Sequence, residues 1–327
     1  MGDPKYGEQE FLCYQVLKEM HQQFGRDMPK TEFYKLCYIV NEELLEKGVD
    51  VELPVHWYRY GGVLTTSAMN TGFYTLEEER WESNSGNKVV LNEEIQDDDF
   101  DVSEDIKAEV GETTSAIVSE FGCIYGTKKK KDYQYKNYAP NDFVRTLDKY
   151  REFLDGMDKT DTLDSDKYVS NVNVSFNDIV SSPAPSASQQ NSDVSGREEE
   201  IQRYLDELVT VYPKDLYKTM YSQFIEWESL SRQLAKNGNF SQLYNFTESF
   251  WKTFSRVELR LKHEHNTPHF EKRDWFRQKE IEKEDFDKEV EKFRAVVLQN
   301  REPTSKLYSV ADSYSETVRE LFEESSQ

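Results

Sequence analysis

Three of the five histidines in this 327-residue chain lie within one short stretch, as His263, His265 and His269. Neutral imidazole is a common ligand of divalent transition metals, and Glu264 or Asp274 could complete such a site. On a helix His263 and His265 would lie about 200° apart, so joint ligation requires the helix to end before His265. The His-Glu-x-x-His pattern of zinc hydrolases is absent. The favoured interpretation is a polar helix end with its loop and no cofactor; a metal-dependent hydrolase is the second alternative.

A dense basic run is the other candidate for chemistry. Four consecutive lysines lie among tyrosines, a mixture that can bind phosphates and stack on bases. The lysines are Lys128, Lys129, Lys130 and Lys131. The whole chain has 41 basic and 63 acidic residues and a net charge of -22. Its electrostatic field therefore opposes the binding of nucleic acid. A solvated loop is therefore favoured, and a DNA-binding transcriptional regulator that uses this loop is the first alternative.

Nucleophilic catalysis has no support in the sequence. The chain contains no Gly-x-Ser-x-Gly elbow, no Walker-type phosphate loop and no paired cysteine motif. Cys13, Cys37 and Cys123 are odd in number and are expected to be free thiols in a reducing compartment. The first residues lack a signal-peptide core, and no apolar run approaches the roughly 20 residues that span a bilayer. We expect a cytoplasmic protein that is not an enzyme and does not enter membranes.

The elements that would position a site begin with an amphipathic helix predicted over residues 31–47. Its apolar face holds Phe33, Leu36, Cys37, Val40 and Leu44. A second segment brings aromatic and imidazole rings before two glycines that permit a positive φ or a close backbone approach. This segment contains His56, Trp57, Tyr58, Tyr60, Gly61 and Gly62. We expect another part of the chain to pack tightly against the glycines.

The helix and the aromatic turn together resemble the Panacea, or SocA-like, family, whose members include antitoxins and proteolytic adaptors. In that family a helix with a Lys-Leu-x-Tyr core precedes an aromatic-Gly-Pro turn. The matching residues are Lys35, Leu36, Tyr38, Tyr60 and Gly61, whereas Gly62 stands where the family usually has proline. The resemblance covers roughly residues 7–155 and implies a partner-binding, antitoxin-like activity. On the alternative interpretation, these residues are ordinary core residues of another small helical domain.

The rest of the N-terminal part predicts a small winged-helix-like domain over residues 1–157. Helices are expected over residues 7–24, from Ser103 to about residue 125, and from Asn141 or Asp142 onward. Residues 57–74 are expected to be helical or turn-rich, and residues 89–91 form a short strand candidate. Residues 158–196, rich in Ser, Pro and Asp, predict a flexible linker that is mostly disordered, with a strand possible at 168–180.

From residue 197 to residue 327 the pattern is helical throughout. Apolar residues recur at helical steps over five segments separated by short turns, which predicts an antiparallel bundle or helical hairpin. One helix is expected to open at Pro213, and the fifth covers 307–321. The fold class is therefore mainly α, with a small helical domain, a linker and a bundle.

The leading functional hypothesis is a cytoplasmic protein-interaction module that masks a partner without catalysis, for which an antitoxin-like or defence-associated role is one option. A protein partner, which could be a toxin, is expected. Nucleic acid is disfavoured by charge, and self-association would be favoured by exposed aromatic residues on the third or fourth C-terminal helix.

Overall fold

The structure, a computed structural model, describes residues 6–81, 84–124, 126–170 and 187–299. It is mainly helical and carries two small three-stranded sheets. Buried apolar side chains from Tyr6 to Val297 form one continuous core cluster. Among the described helices, none has the length and apolarity needed to cross a bilayer.

The first two predicted helices are confirmed. α1 (Glu8–Phe24) ends at Gly25, whose φ of 59° provides the left-handed closure that glycine accepts. α2 (Lys30–Glu46) buries the whole predicted apolar face. α3 (Glu104–Phe121) packs on both, and the predicted cap at Ser103 accepts a hydrogen bond from the Ile106 amide. The hydrophobic period of these segments was enough to define them.

The segment after α2 forms strands, so the helical or turn-rich prediction for residues 57–74 is wrong in its first part. β2 (Val55–Tyr58) and β3 (Gly61–Leu64) form an antiparallel hairpin, and a short 3₁₀ turn at Thr66–Ala68 follows. The side chains of β2 alternate between buried and partly buried, which is the strand period rather than the helix period. The hairpin loop consists of the two residues between the strands.

A second hairpin contains the predicted strand at residues 89–91. β4 (Tyr74–Trp81) pairs with β5 (Asn84–Leu91), and β5 also pairs with β1 (Met28–Pro29). β4 lies at the edge of this sheet. The short strand predicted at residues 89–91 is thus part of β5, whereas the winged-helix-like arrangement stays a prediction.

The four lysines do not form a loop. They open α4 (Lys128–Tyr138), a helix that packs against α2. The loop prediction is wrong because the basic run has carboxylate partners on other helices, which composition alone does not reveal. α5 (Asp142–Ser170) follows, with Asn141 accepting a hydrogen bond from the Val144 amide at 3.1 Å, as predicted for a cap.

As far as residue 299, the C-terminal part is mainly helical, as expected. It contains α6 (Ala187–Val211), α7 (Tyr221–Lys236) and α8 (Phe240–Phe254), which continues through a π-helical turn (Ser255–Leu259) into α9 (Arg260–Lys262). α10 (His269–Gln299) closes the bundle against α7 and α8. The helix expected to open at Pro213 instead begins after a 3₁₀ turn (Lys218–Met220), because the Pro213 carbonyl closes a separate turn onto Leu216 and Tyr217. The predicted fifth helix lies outside the described residues.

The ends of the predicted linker are helical, since α5 extends to Ser170 and α6 begins at Ala187. Residues 171–186, with most of the predicted strand at 168–180, lie outside the described residues. The N- and C-terminal parts are joined by β6 (Glu264–His265), which pairs antiparallel with β2. The division at residues 157 and 197 stays a prediction.

Candidate functional site

The residues of the Lys-Leu-x-Tyr helix and of the aromatic segment meet at the loop of the β2–β3 hairpin. We call residues 58–61 the aromatic turn. The buried Lys35 Nζ, from α2, donates to the Tyr60 carbonyl oxygen and lies 3.4 Å from Gln134 Oε1. The Gln134 amide nitrogen in turn donates to the Lys35 carbonyl at 3.1 Å. The turn is therefore fixed by polar groups from two different helices.

The two glycines are needed because other groups lie directly against them. A Cβ added at Gly62 would overlap the Tyr38 ring, and one at Gly61 would overlap the Gln134 side chain. Gly61 also has a φ of +102°, which L side chains rarely adopt. The predicted tight packing is confirmed. A side chain larger than that of glycine would therefore not fit at position 62.

The aromatic turn is held from the C-terminal part as well. The Arg59 carbonyl accepts hydrogen bonds from Tyr135 Oη at 3.0 Å and from Trp251 Nε1 at 2.9 Å. Arg256 Nε donates to Tyr58 Oη at 3.1 Å. α4, α8 and the π-helical turn thus converge on two consecutive residues, Tyr58 and Arg59. The turn has little freedom to change its conformation.

The Tyr60 ring is the exposed element of this arrangement. Tyr60 is 44% exposed, and two guanidinium groups contact its ring, with Arg59 at 5.1 Å and Arg151 at 5.3 Å from the ring centroid. Both arginines are also ion-paired with Glu248, on α8. We call Arg59, Tyr60, Arg151 and Glu248 the Tyr60 patch. Cation–π contacts hold the aromatic ring in one orientation at the surface.

Charges beneath the patch are paired. Lys131 contacts Asp148 at 2.9 Å and Glu152 at 2.7 Å, and Asp148 also lies 3.4 Å from Arg151. Burial raises the pKa of Asp148, an effect that Lys131 and Arg151 oppose. Burial, with Lys131 nearby, lowers the pKa of Lys35 to about 7. The lysine amine thus serves mainly as a hydrogen-bond donor to the turn.

The other matching residues of α2 and of the aromatic segment pack against neighbouring side chains of the protein. Leu36, Tyr38 and Trp57 are buried, with the Trp57 ring 5.8 Å from that of Tyr38. His56 bonds the Thr65 hydroxyl through Nδ1 at 3.0 Å and packs against Trp275 at 4.7 Å between ring centroids. Of the residues that matched the Panacea pattern or belong to the aromatic segment, Tyr60 is the most exposed.

The three clustered histidines are separated by their elements. His263 Nε2 lies 2.7 Å from Tyr217 Oη, and Asn141 donates to the same hydroxyl at 2.6 Å. His265 lies in β6 beside Asp50, and His269 begins α10. The helix ends before His265, as joint ligation would require. Yet within the described ranges, no three His, Cys, Asp or Glu side chains form a group that could hold a metal ion.

The basic run contributes ion pairs to the interior. Lys130 is fully buried and lies 2.9 Å from Glu32, which also pairs with Arg26 at 3.0 Å. Lys131 is buried in its pairs with α5. Lys128 and Lys129 remain exposed at the start of α4. The four lysines therefore do not present one continuous surface for phosphate contacts.

Sequence reasoning missed most of the polar partners of the turn. Arg151, Gln134, Glu248 and Trp251 lie on three helices far away in the sequence. Arg59 lies within the aromatic segment and was the one available signal, since an arginine beside an aromatic residue is typical of contact surfaces. Nothing local indicates that Arg151 and Glu248 meet it.

No family model matches this chain, and no curated protein or solved structure matches it. The resemblance to the Panacea family therefore stays a prediction that depends on the residues of α2 and the aromatic turn.

Proposed function

We propose that this chain is a cytoplasmic protein-interaction module that binds a protein partner through the Tyr60 patch and acts by masking it, without catalysis. The observation that carries the proposal is a 44% exposed tyrosine whose ring contacts two arginines, on a turn that is anchored by both the N- and the C-terminal parts of the chain. Tyrosine and arginine are the residues most enriched among those that dominate binding energy at protein interfaces. The Panacea resemblance supports an antitoxin-like role.

The fixed conformation of the patch supports binding by a preformed surface. Hydrogen bonds from Lys35, Tyr135 and Trp251 hold the backbone of Arg59 and Tyr60. Because these groups are already ordered, binding costs little further conformational entropy. A preformed surface favours tight binding, which is what masking a partner requires. Masking needs no reacting side chain.

A protein partner fits the charges better than nucleic acid does. Two of the four lysines are buried in ion pairs. In the hairpin that would act as a wing, Glu77 and Glu78 of β4 are exposed, and Glu77 pairs with Lys88. Carboxylates there repel phosphates, in line with the net charge of -22. The DNA-binding alternative would need contacts other than the lysine run.

The test is capture from native extract with the tagged full chain, with and without nuclease. We expect a stoichiometric, nuclease-resistant protein that Tyr60→Ala loses. Ile225→Ala is the matched control, because Ile225 is 39% exposed on α7 and lies outside the patch. Circular dichroism confirms that each variant is folded.

Three results would contradict the proposal. Nuclease-sensitive capture would favour the DNA-binding regulator. Stoichiometric bound metal that is lost in a His263→Ala, His269→Ala double variant would favour the hydrolase. Capture that Tyr60→Ala and Ile225→Ala leave equally intact would exclude the Tyr60 patch as the contact.

A further inference from the structure

The outward side of α10 carries apolar side chains that no described residue covers. Phe270 is 52% exposed and Ile281 is 60% exposed. With 100° per residue, Phe270, Arg277 and Ile281 lie within about 40° of one another around the helix. Phe286, Val290 and Val297 point the opposite way and are buried in the bundle. α10 thus has a second side available for packing.

Charged residues of both signs occupy the same exposed side in a definite order. We call this set the outer α10 face. It consists of Phe270, Asp274, Arg277, Ile281, Asp285, Lys288 and Lys292, all exposed. The cation Arg277 lies four residues before Ile281, and the anion Asp285 lies four residues after it. The anion Asp274 lies seven residues before Ile281, and the cation Lys288 lies seven residues after it.

We propose that the outer α10 face binds a second copy of this chain, with the two helices antiparallel and the two-fold axis at Ile281. In that register Arg277 meets the partner's Asp285, and Asp274 meets the partner's Lys288. The two Ile281 side chains bury each other at the centre. A parallel pairing would instead place like charges opposite each other, so the charge order selects the antiparallel arrangement.

The ion pairs within each helix add to this complementarity. Asp274 lies 3.4 Å from Arg277, and Asp285 lies 2.7 Å from Lys288, all four being well exposed. Such isolated surface pairs contribute little to stability. Across the two-fold axis, the Asp274–Arg277 pair of one copy would meet the Asp285–Lys288 pair of the other. This gives one four-charge network on each side of Ile281. Phe270 would lie against the stem of the partner's Lys292.

The symmetry of this charge pattern indicates that the molecule bound to the outer α10 face is a second copy of the chain. An unrelated partner would have no reason to match a pattern that is its own complement when reversed. A second copy places an opposite charge against each of Asp274, Arg277, Asp285 and Lys288. The pairing does not depend on the proposed role of Tyr60, and the Tyr60→Ala variant should associate like the natural chain.

The first test is sedimentation equilibrium of the full chain over a wide concentration range. We expect a concentration-dependent rise from 38.6 kDa toward twice that mass. Ile281→Glu should raise the dissociation constant by at least about tenfold. Phe276→Glu is the matched control, because Phe276 is 59% exposed on the same helix but about 140° away from Ile281.

Charge reversal then tests the register. Arg277→Glu and Asp285→Arg should each weaken association, because each places like charges together across the axis. The double variant should restore it, because both pairs are then reversed. A monomer at all concentrations, equal effects of Ile281→Glu and Phe276→Glu, or failure of the double reversal to restore association would overturn the proposal.

Cross-linking provides a second readout that does not depend on affinity. In a Cys123→Ser background, Ile281→Cys should form an intermolecular disulfide with oxidised glutathione, two thiols being oxidised while one glutathione disulfide is reduced to two thiols. Cys13 and Cys37 are buried and should not interfere. Cross-linking by Phe276→Cys as readily as by Ile281→Cys would place the contact elsewhere and contradict the proposed axis.

Discussion

At the residue scale, the aromatic turn shows how a surface side chain can be fixed by groups that are themselves buried. Lys35, Tyr135 and Trp251 each donate to a carbonyl oxygen of the turn, and Gly61 and Gly62 allow the approach of Gln134 and Tyr38. The carbonyl oxygens of Arg59 and Tyr60 are thus already hydrogen-bonded within the protein, and the Tyr60 ring projects from this fixed backbone. Its orientation is set by Arg59 and Arg151.

Replacing Gly62 with alanine should destabilise the fold, because the new Cβ would overlap the Tyr38 ring, which packs on Trp57. We expect a loss of about 2–3 kcal/mol in the free energy of unfolding. Urea denaturation measures it. Gly111→Ala in α3 is the control, because nothing lies within 4 Å of its added Cβ and alanine favours a helix. A Gly62→Ala variant as stable as Gly111→Ala would contradict the tight packing.

At the element scale, α2 and α4 are joined by a buried ion pair rather than by apolar side chains alone. Lys130 contacts Glu32 at 2.9 Å and also donates to the Ile124 and Gly126 carbonyls at 2.7 and 3.2 Å. The lysine therefore closes the loop that enters α4. This is a structural role for a residue that the sequence suggested as a phosphate ligand.

Lys130→Met should cost about 2–3 kcal/mol of stability, since Glu32 stays buried with only Arg26 as its described cationic partner and two carbonyls lose their donor. The neighbouring Lys129→Met should stay within about 0.5 kcal/mol, because Lys129 is exposed. Thermal and urea unfolding of both variants measure this difference in the free energy of unfolding. Equal, small effects would show that the lysine run is a solvated surface after all.

The helices were predictable because each has an amphipathic period and recognisable ends, as α1, α2 and α3 show. The β2–β3 hairpin was missed, although Trp57 and Val55 alternate with less buried residues, because a four-residue strand gives a weak periodic signal. Pairing of β2 with β6 joins residues some 200 positions apart and leaves no local trace. The same holds for the meeting of Arg59, Arg151 and Glu248.

At the scale of the whole molecule, the β2–β6 pairing and the aromatic turn connect the N- and C-terminal parts. His56 and His263 both lie at this junction, and the Trp57 amide donates to the His263 carbonyl at 2.8 Å. Burial, with Arg260 near one and Lys262 near the other, lowers the pKa of each imidazole to about 4. Burial at the junction therefore favours the neutral form of both imidazoles.

Stability should consequently fall as the pH is lowered from about 6.5 to about 4. An unfolded imidazole has a pKa of about 6.5, so in this window the unfolded chain binds protons that the folded chain excludes. Melting temperatures across this range should decline less steeply in a His56→Gln, His263→Gln variant than in the natural chain. Burial raises the pKa values of Glu42, Asp148 and Glu258, which acts in the opposite direction in both proteins. Identical slopes would contradict the neutral, buried histidines.

The most direct test of the account is whether a protein touches the ring at position 60. A photoreactive phenylalanine analogue in place of Tyr60 in the full chain, irradiated in native extract, should give one discrete adduct of higher mass. The same analogue in place of Ile225, which is exposed elsewhere, should give none. No adduct at position 60, or the same adducts at both positions, would contradict a protein partner at the Tyr60 patch.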